Sequence, residues 1–98
     1  MTAVAKMQRL RFSFEVLELF HAARLTADLR EVTGCRLRVR PLSRPPRRRQ
    51  LWSVVLETTP APADRLDVAR WEVLMQAAAG RHPGCRLVGW QSLDRTPE

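Results

Sequence analysis

Seven arginines lie between residues 32 and 56, in a segment that contains no aspartate or glutamate. They are Arg36, Arg38, Arg40, Arg44, Arg47, Arg48 and Arg49. The chain has a net charge of +7, and outside this segment ten basic and ten acidic residues cancel. Guanidinium groups bind phosphate oxygens and displace counterions from nucleic acids, so this clustering predicts an anionic partner, RNA or DNA.

The number of arginines is weaker evidence than their clustering. The chain has sixteen Arg, one Lys, and no Asn, Ile or Tyr, a bias typical of GC-rich coding sequence. A solvated basic loop in an arginine-rich protein would therefore explain the count without any ligand. Both interpretations stay open at this point.

The other reactive residues form no catalytic or metal-binding pattern. Cys35 and Cys85 lie at apolar strand positions and lack the spacing of a zinc site or a disulfide framework. Glu18 and His21 give a single Glu-x-x-His spacing without a second set of ligands. The sequence has no Gly-rich phosphate loop and no Gly-x-Ser-x-Gly motif. We therefore expect a protein that is not an enzyme and that binds no metal and no cofactor.

The elements that position the arginines follow from hydrophobic periodicity. Apolar and polar residues alternate over residues 10–16 and 35–40, which predicts two half-buried strands. Residues 51–57 are rich in residue types that favour strands, which predicts a third. After the first strand, apolar residues recur at helical spacing up to Val32, and Gly34 ends that helix. A second helix is predicted over about residues 63–79 and a last strand from Cys85 onward.

This β-α-β-β-α-β order predicts an α+β fold, the ferredoxin-like two-layer sandwich, with an antiparallel sheet in the order 4-1-3-2 and two helices on one face. The tetrapeptide Gly-Cys-Arg-Leu follows each helix, at 34–37 and 84–87, which suggests two similar halves. We predict one domain over residues 1–93, a basic loop over 41–50 and a disordered tail over 94–98. Cys35 and Cys85 fall on opposite edge strands about 14 Å apart, so both are expected to be buried free thiols.

The two sheet faces are predicted to differ in character. The helices should cover one face through Leu25, Leu29, Leu66, Val73 and Ala77. The other face should present Arg9, Arg11, Arg36, Arg38, Arg86 and apolar Leu51, Val55 and Val88. We place Trp90 on that second face, where it would stack on nucleic-acid bases. A bulge at Gly89 would instead turn Trp90 into the core.

A second apolar stripe on the second helix predicts self-association. Its members are Val68, Trp71, Met75 and Ala78. A helix that is apolar on two sides is buried on two sides, and a second copy of the chain is one possible cover. The chain termini or the arginine loop are the other possible cover. The alternative function is therefore a homodimeric interaction or small-ligand regulatory module, with an interface at this stripe or at Leu51, Val55 and Val88, and with incidental arginines.

The sequence also bears on localisation. No apolar run approaches the roughly 20 residues of a membrane-spanning helix. Charged Lys6, Arg9, Arg11 and Glu15 interrupt the segment where a signal peptide would need an apolar centre. We expect a cytoplasmic protein without a membrane partner.

Overall fold

The computed structural model describes residues 7–42 and 50–95, which form an α+β fold. An antiparallel sheet of five strands packs against two helices. The elements are β1 (Met7–Val16), α1 (Leu19–Thr33), β2 (Arg36–Leu42), β3 (Leu51–Glu57), β4 (Ala61–Pro62), α2 (Val68–Arg81) and β5 (Cys85–Arg95), with a 3-10 turn over Ala63–Arg65. Both helices contribute buried side chains to one core, so they lie on the same face of the sheet.

The four long strands lie side by side in the order β5-β1-β3-β2, and every neighbouring pair is antiparallel. The prediction lacked the two-residue strand β4, which pairs with Met7 and Gln8 of β1. Thr58 explains why β3 stops before β4 begins. Its backbone N–H donates to the carbonyl of Leu10, and its hydroxyl accepts the N–H of Leu10, both at 2.9 Å. A side-chain oxygen thus takes the place of the next backbone acceptor in the ladder.

Alternation along β1 builds the centre of the core. Leu10, Phe12, Phe14 and Val16 are each at most 1% exposed. Val54 and Leu56 of β3 and the α1 stripe Ala22, Leu25 and Leu29 are equally buried. Gly34 ends α1 in the left-handed conformation at φ 67°, and Gly84 before β5 has φ 73°. The predicted strands β1 and β3, the helix α1 and its C-terminal glycine are therefore confirmed.

The apolar stripe of α2 that faces the sheet is not the predicted one but the stripe on the other side of the helix. Met75 is fully buried, Ala78 lies beside it in the core, and Val68 and Trp71 pack against the core. Val73 is 71% exposed and Ala77 is exposed. The prediction that these two side chains pack on the sheet was therefore wrong. Trp71 and Met75 bury far more apolar area than Val73 and Ala77 would, which decides the rotation of the helix.

This rotation removes one predicted dimer interface. Val68, Trp71 and Met75 were assigned to a surface for a second copy, but they pack in the core of their own chain. The Asp67 carboxylate accepts the backbone N–H of Arg70 at 3.1 Å and fixes the start of α2. The sheet therefore covers this stripe, and the opposite stripe with Val73 and Ala77 has no cover among the described residues.

A β-bulge reverses the predicted direction of Trp90. The register of β5 against β1 shifts between Gly89 and Leu87, so Val88 has no partner in β1. Beyond the shift, Trp90 lies opposite Phe12, whose side chain is in the core. The two ring centroids are 6.4 Å apart. Trp90 therefore lies on the helix side of the sheet, and its predicted place on the other face was wrong because Gly89 permits the bulge.

The ends of the predicted segments also move. Strand β2 includes Pro41 and Leu42, which were assigned to the basic loop, and β5 continues through Asp94 and Arg95, which were assigned to the tail. Residues 96–98 and 43–49 lie outside the described residues. Cys35 and Cys85 are free thiols, as predicted, but each is half-buried. No helix within the described ranges is long and apolar enough to cross a membrane.

The orientation of α2 is tested by two alanine substitutions on the same helix. Met75→Ala should lower the free energy of unfolding by about 2–4 kcal/mol, because it leaves a cavity beneath the helix. Val73→Ala, the matched control on the exposed face, should change it by less than about 0.5 kcal/mol. Urea unfolding followed by circular dichroism measures both. A larger loss for Val73→Ala than for Met75→Ala would contradict the observed rotation.

Candidate functional site

The sheet face opposite the helices, called the open face below, is the candidate site. The side chains of every second strand residue point to it, because those between them fill the core. Its charged and polar members are Arg9, Arg11, Ser13 and Glu15 on β1, Arg36, Arg38 and Arg40 on β2, Ser53 and Glu57 on β3, and Arg86 and Gln91 on β5. Six arginines against two glutamates leave an excess of four positive charges.

Strand register fixes which of these residues are neighbours. Glu57 of β3 lies between Arg36 of β2 and Arg11 of β1. Two residues further along, Val55 lies between Arg38 and Ser13. Paired residues of an antiparallel sheet share a face, so these rows bring β1 and β2 arginines to both sides of β3.

The third row crosses the whole sheet. Arg40 of β2 lies opposite Ser53 of β3, Ser53 opposite Glu15 of β1, and Glu15 opposite Arg86 of β5. Arg86 Nη2 donates to Glu15 Oε2 at 2.9 Å while the Arg86 side chain stays 72% exposed. The row therefore begins and ends with a solvent-accessible guanidinium group.

Glu57 organises the middle of the open face. Its Oε1 accepts hydrogen bonds from Arg11 Nε at 3.1 Å and Arg11 Nη2 at 2.9 Å. Its Oε2 lies 3.3 Å from Arg9 Nη1. The hydrogen bonds from Arg11 hold the pKa of Glu57 below its ordinary value, and the positive charges of Arg11, Arg9 and Arg38 add to this effect against a smaller opposing effect of burial. The carboxylate is therefore ionised at neutral pH and holds two guanidinium groups in place.

The three β2 arginines differ from the others because they form no ion pair within the described part of the chain. Arg36, Arg38 and Arg40 are exposed, and no acidic side chain of the described residues lies within ion-pair distance of them. Alternate residues of a strand are about 7 Å apart, so the three groups form a regular row along the sheet edge. This row is the most strongly positive part of the open face.

Two shallow depressions lie between the arginine rows. One, of about 280 Å³, is lined by Arg11, Arg38, Arg40, Ser53, Val55 and Glu57. The other, of about 340 Å³, is lined by Arg9, Arg11, Arg36, Arg38, Val55 and Glu57. Arg11 and Arg38 are common to both. An anion seated in either depression would meet guanidinium groups from both β1 and β2, and the Ser53 hydroxyl offers a further donor in the first.

The structure brings together only part of the predicted binding set. Arg36, Arg38 and Arg40 lie together on the open face. Trp90 lies on the other face. The predicted arm, Arg44, Arg47, Arg48 and Arg49, lies outside the described residues. The predicted interface residues Leu51 and Val55 are half-buried and Val88 is exposed at the bulge.

Five charged residues of the open face were missing from the predicted binding set: Arg9, Arg11, Glu15, Glu57 and Arg86. Arg9 and Arg11 were expected on this face but were not assigned to the site, although the period-two pattern of β1 was the signal for them. Arg86 repeats the position of Arg36 in the second Gly-Cys-Arg-Leu copy. The central role of Glu57 had no sequence signal, because it depends on the register that pairs Glu57 with Arg11.

Outside the open face, the reactive groups have structural explanations. Asp28 of α1 lies 2.8 Å from His82 Nε2 and accepts a hydrogen bond from Arg81 Nη2 at 3.0 Å, which links α1 to the end of α2. The hydrogen bond with His82 is the main cause that lowers the pKa of Asp28, and the hydrogen bond and charge of Arg81 lower it further. Burial raises the pKa of the Cys85 thiol, the opposite of what a nucleophile needs. No cluster of three metal-ligating side chains occurs in the described part of the chain.

Comparisons with known proteins assign no family to the chain. A scan against protein-family models finds no match, and no curated protein matches the sequence.

The role of Glu57 predicts a pH-dependent loss of stability in Glu57→Gln. Because folding lowers the pKa of Glu57 from its ordinary 4.5, its ion pairs stabilise the protein above that pH. This contribution is lost as the pH falls through the lower pKa of the folded state. Glu57→Gln should therefore cost about 1 kcal/mol at pH 7 and almost nothing once the carboxyl of the wild type is protonated.

Urea unfolding across this pH range measures the difference. Glu31→Gln, which removes an equal charge from an exposed position on α1, is the control and should change stability by less than about 0.5 kcal/mol at any pH. A Glu57→Gln penalty that stays constant down to the acid limit would show that the ion pairs with Arg11 and Arg9 are not its cause.

Proposed function

We propose that this protein is a small binding module, without enzymatic activity, that contacts the phosphate backbone of RNA or DNA through the open face. The observation that supports it is the exposed row of Arg36, Arg38 and Arg40, which has no counterion among the described residues. A row of like charges without ion-pair partners creates a positive surface potential that attracts an anionic partner.

The ferredoxin-like arrangement of the strands is part of the proposal. The long-strand order β5-β1-β3-β2 corresponds to the 4-1-3-2 order of the ferredoxin-like sandwich once β4 is treated as an insertion before α2. In this architecture both helices cover one face, and the other face is free for a ligand. The arginines would then occupy the surface that the fold leaves available.

Phosphate binding on this face would use two kinds of arginine. The β2 row meets successive phosphates, because its spacing of about 7 Å is close to the separation of phosphates along one strand. Arg11, already oriented by Glu57, offers its remaining guanidinium edge to the same anion as Arg38. Each phosphate bound releases condensed counterions, which is the main source of affinity.

The arginines that follow β2 in the sequence belong to the same proposal. Arg44, Arg47, Arg48 and Arg49 come within seven residues of the end of β2 at Leu42. A basic arm attached to the edge strand would add phosphate contacts beyond those of the sheet. It would increase affinity without base specificity, since guanidinium–phosphate contacts are the same for every sequence.

The alternative proposal is a homodimeric interaction module that uses the apolar residues of the open face. Exposed Val88 is the observation that favours it. Pairing the open face with its copy would bring two surfaces, each with four excess positive charges, into contact, and like charges across an interface are costly. This electrostatic cost favours the anionic partner over self-association through the open face.

The β2 row is tested by the salt dependence of binding. Replacing Arg36, Arg38 and Arg40 together with Gln should reduce the slope of log K against log salt by about 2–3 for duplex DNA, since each lost phosphate contact contributes about 0.9. Fluorescence anisotropy with a labelled duplex, between about 50 and 200 mM salt, measures it.

Two further variants complete this test. Arg24, Arg30 and Arg70 lie exposed on the helices, and replacing all three with Gln removes the same charge from the other side of the protein. This control should leave the slope within about 0.5 of wild type. Equal slope reductions in both triple variants would show that net charge, and not the open face, drives binding. Sedimentation velocity without nucleic acid tests the alternative, because a dimer weakened by Val88→Ser would favour self-association.

A further inference from the structure

We infer that the nucleic-acid partner is double-stranded and is held by its two backbones on the open face, without stacking of any base on that face. This inference rests on the proposed function and specifies the class of nucleic acid. It follows from the position of every aromatic side chain and from the distribution of charge across the open face.

No aromatic ring lies on the open face. The chain has three Phe, three Trp and no Tyr, and all six rings fall within the described residues. Phe12 and Phe14 are in the core, Trp52 and Trp90 lie on the helix side of the sheet, and Phe20 and Trp71 belong to the helices. The two histidines belong to α1 and to the end of α2. Because the residues outside the described ranges contain no aromatic, none of them can add a ring.

The absence of aromatic rings matters because single strands are bound largely by stacking. Each base stacked on an aromatic side chain contributes about 1–3 kcal/mol, and sheet surfaces that bind single strands use this energy. The open face offers only guanidinium, hydroxyl, amide, carboxylate and aliphatic groups. A duplex already stacks its bases internally and exposes phosphates at twice the axial charge density of one strand, so it suits such a surface.

The charge pattern of the open face also fits two backbones better than one. Unpaired or exposed guanidinium groups lie at both edges of the sheet, Arg36, Arg38 and Arg40 on β2 and Arg86 on β5. The carboxylates Glu15 and Glu57 lie on the central strands between them. The two edges are three strand spacings, or about 14 Å, apart, which is comparable to a major groove about 12 Å wide. Phosphates of opposite strands would meet the edges, while the central carboxylates would face the groove.

The inference is tested by comparing duplexes with single strands of equal length and sequence. We expect the full chain to bind duplex DNA or duplex RNA at least about tenfold more tightly than either single strand at one salt concentration. Scrambling the duplex sequence should change affinity less than twofold. Single strands that bind as tightly as duplexes would overturn the inference and leave the proposed function intact. If neither form binds at low salt, the proposed function fails as well.

Two single substitutions give readouts that depend on geometry. Arg86→Gln should weaken duplex binding at least threefold and leave single-strand binding unchanged, because only a duplex reaches both sheet edges. Arg70→Gln on α2 removes the same charge from the helix layer and is the control. Duplex affinity that is equal for the two variants would contradict binding across both edges.

Trp90 supplies the complementary test. Trp90→Phe keeps an aromatic ring next to Phe12, so the fold is retained, and it should leave duplex affinity within twofold of wild type. Tryptophan emission of the wild type should show no stacking quench when duplex is added. A strong quench that disappears in Trp90→Phe, with a loss of affinity, would overturn the inference.

Discussion

Burial of every second side chain of β1 is the constraint on which the rest of the structure depends. Leu10, Phe12, Phe14 and Val16 are almost fully buried beneath the helices, so the residues between them have to point to the open face. Because β1 is central, its register with β3 and β5 carries the same division to both neighbours, and β3 carries it to β2. A shift of one residue would bury Arg9 and Arg11 and expose two phenylalanines, which no set of ion pairs could offset. The position of the arginines is thus a consequence of core packing.

The elements with one dominant period could be predicted from the sequence. β1 and α1 each have one dominant apolar stripe, and the structure buries both stripes except for Val32 at the end of α1, which was expected in the stripe and is exposed. Helix α2 has two stripes, and periodicity alone cannot choose between them; the choice follows from the larger apolar area of Trp71 and Met75. Strand β4 has only two residues and depends on Thr58 bonding to Leu10, a tertiary contact without a local pattern.

The residues of the candidate site could be predicted only where strand geometry alone determines their position. The β2 arginines alternate in sequence and lie on one face, because strand geometry alone determines this. The grouping of Arg9 and Arg11 around Glu57 needed the antiparallel register, which a single sequence does not contain. That grouping makes the middle of the open face nearly neutral and leaves the excess charge at its edges, so the register determines where an anion would bind.

The bulge at Val88 then separates two kinds of nucleic-acid surface. Without it, Trp90 would lie opposite Arg11 on the open face, and the sheet would combine guanidinium groups with a stacking ring, as proteins that bind single strands do. With it, Trp90 lies opposite Phe12, 6.4 Å from its ring, and adds apolar area above the core. One unpaired residue therefore moves an aromatic side chain from a ligand surface to the helix layer. The open face that results can recognise charge and spacing but has no aromatic ring on which an unpaired base would stack.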